Sequence, residues 1–152
     1  MKILGKNSIS NYIRICLQLV FIGGTLILIT LPFLLNYYLQ LFNLPTDIYP
    51  PTLTLLYVSG IPALIIIYQF IKLFESLKDA NPFVTNNSNY LKTSSFCSLI
   101  IAIEYFISIF IFKSVFTIII MMIFIIAWIG LYILSELFKQ AINYKEENDL
   151  TI

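Results

Sequence analysis

Residues 114–135 read SVFTIIIMMIFIIAWIGLYILS, twenty-two consecutive positions without a charged side chain. Wound as an α-helix, a stretch of that length rises about 33 Å and crosses the roughly 30 Å hydrocarbon core of a bilayer. Isoleucine and phenylalanine favour strands in water. In lipid that preference is overridden, because the backbone finds no hydrogen-bond partner outside its own segment and the run is too long for a barrel strand. Three further stretches have the same character. Residues 15–35 and 52–71 carry no charge, and residues 93–112 carry only Glu104. The expected fold is all-α: an integral membrane, antiparallel four-helix bundle in a single transmembrane domain over residues 1–152, with spans at about 15–35, 52–71, 93–112 and 114–135.

Composition agrees. Hydrophobic residues make up 59% of the 152 positions and charged ones 11%, and mean hydropathy is +0.90. A soluble domain carries about 25% charged residues and could not cover so much apolar surface. The net charge of +1 supplies no basic field for nucleic acid, so no direct nucleic-acid partner is expected. There is no histidine, which removes the commonest general base and metal ligand. The two cysteines, Cys16 and Cys97, match no metal-ligand spacing. No phosphate-binding glycine loop or hydrolase motif occurs. Neither enzymatic activity nor a cofactor or metal site is expected.

Basic residues orient the spans. Lys2, Lys6, Arg14, Lys72, Lys78, Lys92, Lys139 and Lys145 gather on one side, and only Lys113 falls on the other. Both termini are therefore expected in the cytoplasm of a multi-pass protein of the cell membrane. The first span is read as retained rather than as a signal peptide, since it is long and lacks a small-x-small cleavage site. On the cytoplasmic side lie the connection 72–92, broken at Asn81-Pro82-Phe83 because proline disfavours helix in its predecessor, and a polar tail, 139–152.

Small and polar residues recur at helical spacing and are expected to face other helices. The stripes are Arg14, Gln18, Thr25, Pro32 and Asn36; then Thr52, Ser59, Pro62 and Gln69; then Ser94, Cys97, Ile101, Glu104 and Ser108; and finally Ser114, Met121, Trp128 and Ser135. A carboxylate at the bilayer centre costs about 2.5 to 3.5 kcal/mol on insertion scales. Glu104 should therefore turn inward, either as a protonated interhelical hydrogen-bonder or as a proton or cation site. Ser108, Ser59, Thr25 and Trp128 are the polar candidates around it, together with the Val58 carbonyl that Pro62 leaves without a donor.

Leu56-Tyr57-Val58-Ser59-Gly60-Ile61-Pro62, Tyr68-Gln69-Phe70-Ile71-Lys72-Leu73, the Asn81-Pro82-Phe83 turn and the ending Ala141-Ile142-Asn143-Tyr144-Lys145-Glu146-Glu147-Asn148-Asp149-Leu150-Thr151-Ile152 resemble an uncharacterised family. It is the YoaS-like group of small four-span bacterial membrane proteins, a domain of unknown function. The resemblance covers nearly the whole chain and transfers no activity. Such proteins are often encoded beside a small Cro/CI-type helix-turn-helix regulator, which implies a cytoplasmic protein partner. It also directs attention to Pro82, Phe83, Glu146, Asn148, Asp149 and Leu150 as docking candidates.

The expectation is thus a non-enzymatic membrane protein with a regulatory or interaction role, acting through its cytoplasmic loop and tail. The rival is a small transporter or channel subunit, working as a homo-oligomer, with Glu104 as its intramembrane proton or cation site.

Overall fold

The computed structural model describes residues 9–78 and 85–149. Four helices account for nearly all of them: α1 (Ile9–Leu41), α2 (Tyr49–Lys78), α3 (Thr85–Phe112) and α4 (Val115–Asp149). Each is long and apolar enough to cross a membrane, and no strand occurs among the described residues. The all-α four-helix architecture read from the sequence is the one observed. Large apolar side chains such as Phe33, Phe110 and Phe116 are more than 70% exposed. Water would not tolerate that surface, whereas lipid covers it at no cost.

The helices overrun the expected spans. α4 has 35 residues, about 52 Å of rod, and it absorbs residues 139–149 that the sequence reading assigned to a separate polar tail. Ile142 explains the continuation, because it is buried and lines a cavity with Ser88 and Asn89 of α3. An apolar position one turn past the charged Lys139 thus still has a helix to pack on.

Turn chemistry sets the ends. α1 closes on Asn43, at φ 50°, and the Leu44 N–H reaches the Leu39 carbonyl at 3.0 Å. This is the left-handed cap that asparagine tolerates. Pro50 and Pro51 sit in the first turn of α2, where no helical donor is lost. Only residues 113 and 114 separate α3 from α4. Lys113 takes φ 47° and donates its N–H to Ile109, and Ser114 Oγ accepts the Phe116 N–H.

Packing follows chain order. α3 and α4 are the most closely associated pair, and α2 with α3 and α1 with α2 come next. The described residues show no comparably close packing of α1 with α3 or α4, although all four helices contribute to one cavity, through Gly24, Gly60, Tyr105 and Phe124. A third of the apolar window of α3 is buried, against 6% in each other helix. That identifies α3 as the central element. α1 and α2 meet through glycines: a Cβ on Gly60 would lie 2.6 Å from Leu28 Cδ2, and one on Gly24 would lie 2.9 Å from Leu64 Cδ2. Leucine from each helix fills the gap opposite glycine on the other. Gly23 has open space beside it, so only one of the paired glycines serves this approach.

Candidate functional site

Hydroxyls inside the spans are mostly consumed by their own helices. Thr25 Oγ1 donates to the Phe21 carbonyl at 2.8 Å, Ser59 Oγ to Leu55 at 2.7 Å and Ser108 Oγ to Glu104 at 2.9 Å. Such back-bonding satisfies a hydroxyl without a second helix. Trp128 offers its backbone rather than its indole, since its carbonyl accepts Ser95 Oγ at 3.0 Å.

Glu104 stands apart. It is half-buried, and its Oε2 is buried with no hydrogen-bond partner among the described residues. Among the described residues no hydrogen bond joins that oxygen to another helix. The side chain lines a cleft of about 350 Å³ between the first half of α2 and the last half of α3, with Pro50, Leu55, Val58, Ile107 and Ser108. Val58, whose carbonyl has no helical donor four residues on because Pro62 stands there, is among the lining residues. Ser59 lines a different cavity, also about 350 Å³, with Gly24, Gly60, Tyr105 and Phe124. Of the five intramembrane candidates, Glu104 and Ser108 share one cleft, Ser59 borders the next, and Thr25 and Trp128 line neither.

Two polar constellations lie at the end of the bundle that holds both chain termini. The first joins α3 to α4. Ser88 Oγ donates to the Ser135 carbonyl at 3.0 Å, Ser135 Oγ donates to the Ser88 carbonyl at 2.9 Å, and the two hydroxyls stand 3.2 Å apart. Both serines are buried. Ser95 and Trp128 repeat the contact seven residues along each helix, so the antiparallel seam keeps one register over a full heptad. Asn87, fully buried, accepts Ser76 Oγ at 2.8 Å and ties α2 into the same layer. The sequence signal was the pair of seven-residue intervals, Ser88 to Ser95 and Trp128 to Ser135. Only the second was recognised.

The second joins α1 to α2. Arg14 Nη1 lies 3.8 Å from Glu75 Oε1, and Lys72 Nζ lies 3.1 Å from Glu75 Oε2. Sequence reasoning placed Arg14 in a stripe but had no means of pairing it with a residue sixty-one positions away.

The docking candidates Pro82, Phe83 and Leu150 lie outside the described residues. Glu146, Asn148 and Asp149 fall within the bounds of α4, and their side chains lie outside the description. The described residues hold no cluster of metal-ligating side chains.

A family model described as "Protein of unknown function (DUF2975)" matches residues 33–152. No curated protein and no solved structure matches the chain. The match takes in Glu104, its cleft and the serine seam, and begins beyond Arg14 and Thr25.

Proposed function

We propose that this chain, which belongs to the DUF2975 family of proteins of unknown function, is a non-enzymatic membrane protein that presents a helical platform to a protein partner in the cytoplasm. The proposal places both termini and the basic end of the bundle on the cytoplasmic side of the cell membrane, following the distribution of lysine and arginine. The observation that carries it is the unbroken course of α4 to Asp149. The rod that crosses the bilayer is the same rod that reaches the partner's side, and the Ser88–Ser135 and Asn87–Ser76 contacts lock its neighbours to it there. A rigid, polar-stapled end presents a defined surface, whereas a frayed tail would lose conformational entropy on every encounter. The YoaS-like, bacterial reading of the family and its neighbouring helix-turn-helix regulator make such a regulator the partner of choice. Photo-crosslinking groups at Lys139 and Asn143 should capture one discrete species in intact cells, and a group at Lys113 should not. Deleting residues 143–152 should abolish the capture at Lys139. An unchanged Lys139 crosslink in the truncated chain would refute docking through α4.

A second reading rests on the buried, unpartnered Glu104 oxygen and on the cleft that this residue lines. It makes the chain a transporter or channel subunit of a homo-oligomer, with Glu104 taking up a proton or cation. Glu104→Gln keeps the shape and removes the ionisable group. Equal ion and proton flux for both proteins in loaded vesicles would reject this reading.

A further inference from the structure

We propose that the seam between α1 and α2 is a binding site for an anionic phospholipid, with the phosphate held at Lys72 and Arg14 and an acyl chain running along Phe21, Tyr68 and Ile65. The seam carries two cavities in line. The first, about 520 Å³, lies nearest the chain termini and is lined by Gln18, Phe21, Ile22, Tyr68, Lys72 and Glu75, among others. The second, about 240 Å³, is wholly apolar and is lined by Phe21, Ile61, Leu64, Ile65 and Tyr68. Phe21 and Tyr68 belong to both, with their ring centroids 6.2 Å apart. They form the junction between a polar mouth and an apolar floor. From Lys72 to Ile61 is eleven residues of α2, about 16 Å of helix, which matches a substantial part of an acyl chain.

Charge selects the ligand. Lys72 and Glu75 line the mouth, and Arg14 stands just behind it, 3.8 Å from Glu75, so these described residues supply two cations against one acid. Glu75 makes a close hydrogen bond only with Lys72, at 3.1 Å. Its distance to Arg14 is 3.8 Å, too long for a hydrogen bond. Among the described residues, Arg14 adds to that ion pair a stretched contact of 3.4 Å to Asn11, and its Nε is buried without a partner. A guanidinium has five donors in a planar fork suited to phosphate oxygens. Here most of that capacity is unspent at the height where the headgroups of the surrounding leaflet lie. Lys72 also stands 5.9 Å from the centroid of the Tyr68 ring, which fixes the ammonium above the apolar floor. One positive charge remains after Glu75 is counted, and a phosphodiester monoanion complements it. A zwitterionic headgroup brings a cation of its own and gains less.

Native mass spectrometry of the full chain in detergent tests this. Dioleoyl phosphatidylglycerol and dioleoyl phosphatidylcholine are added at equal concentration. The expected result is retention of phosphatidylglycerol at about tenfold lower lipid concentration than phosphatidylcholine, with about fivefold weakening for each of Arg14→Gln and Lys72→Gln. Lys113→Gln, at the opposite end, should change nothing. Ile65→Trp fills the floor without touching the charges and should also weaken retention, so the test survives if Arg14→Gln misfolds. Equal retention of the two lipids would overturn the proposal, as would undiminished retention in the folded Lys72→Gln protein. Displacement of phosphatidylglycerol by inorganic phosphate alone would overturn it too, assigning the mouth to a free anion.

Discussion

Enlarging Ser135 offers the sharpest test of the α3–α4 seam. Its side chain is 1% exposed and sits directly against Ser88. Ser135→Ala deletes one interhelical hydrogen bond, that to the Ser88 carbonyl, and one hydroxyl–hydroxyl contact. Interhelical hydrogen bonds in membranes average about 0.6 kcal/mol, with a maximum near 1.7 kcal/mol. The alanine variant should therefore lose about 0.5 to 1 kcal/mol, with the small cross-section of the seam preserved. Ser135→Leu brings three additional carbons into a site with no room for them. Overpacking of that kind costs about 1 to 3 kcal/mol, on top of the lost bond. Reversible unfolding in mixed micelles, read by steric trapping or by circular dichroism, should rank wild type above alanine and alanine well above leucine. A double-mutant cycle of Ser88→Ala with Ser135→Ala should return a coupling below about 0.5 kcal/mol, because each hydroxyl donates its one proton to the other residue's backbone carbonyl and the two bonds are lost independently. If Ser135→Leu is as stable as Ser135→Ala, the two helices are not in contact at this height and the described seam is wrong.

Other outcomes follow from the same geometry. Gly60→Ala drives a methyl to within 2.6 Å of the flexible end of Leu28 and should destabilise the fold by about 1 kcal/mol. Gly23→Ala, with nothing within 4 Å, should be neutral or slightly stabilising by helix propensity, and equal effects at both positions would contradict the α1–α2 contact. Glu104→Leu replaces a buried, unpartnered oxygen with an apolar side chain and should raise unfolding free energy by about 1 to 3 kcal/mol. A loss of stability would show that the carboxyl makes a structural bond in the membrane. Cys16 is exposed and Cys97 is buried, so a membrane-permeant maleimide should label Cys16 first. Equal labelling rates by mass spectrometry would count against the central position of α3.

The four-helix architecture was legible because lipid imposes one rule on every backbone group, and four uncharged runs satisfy it. Interior faces were harder to read. On α4 the polar positions are so few that Trp128 and Ser135 marked the true seam. On α3, Ser94, Cys97, Ile101 and Ser108 are all buried, as the stripe required, whereas Glu104 is only half-buried at a cleft. On α1 the stripe holds only in part. Arg14, Thr25 and Pro32 are half-buried, whereas Gln18 and Asn36 are exposed, since side chains near the ends of a span can reach polar surroundings without turning inward. The buried residues there are Leu31, Leu35 and Leu39. Within a bilayer a leucine on the core face and one on the lipid face are chemically equivalent, so hydropathy cannot tell them apart. The Arg14–Glu75 contact was invisible for another reason, because its register depends on how two helices slide past each other.

The chain-order packing of the helices has a geometric corollary for assembly. With the closest contacts running from α1 through α2 and α3 to α4, the molecule presents two unlike borders, one formed by α1 and the other by α4. Copies that join border to matching border must be related by a twofold axis and stop at pairs. Copies that join unlike borders propagate with a constant rotation, closing into a circlet or running on as a ribbon in the plane of the bilayer.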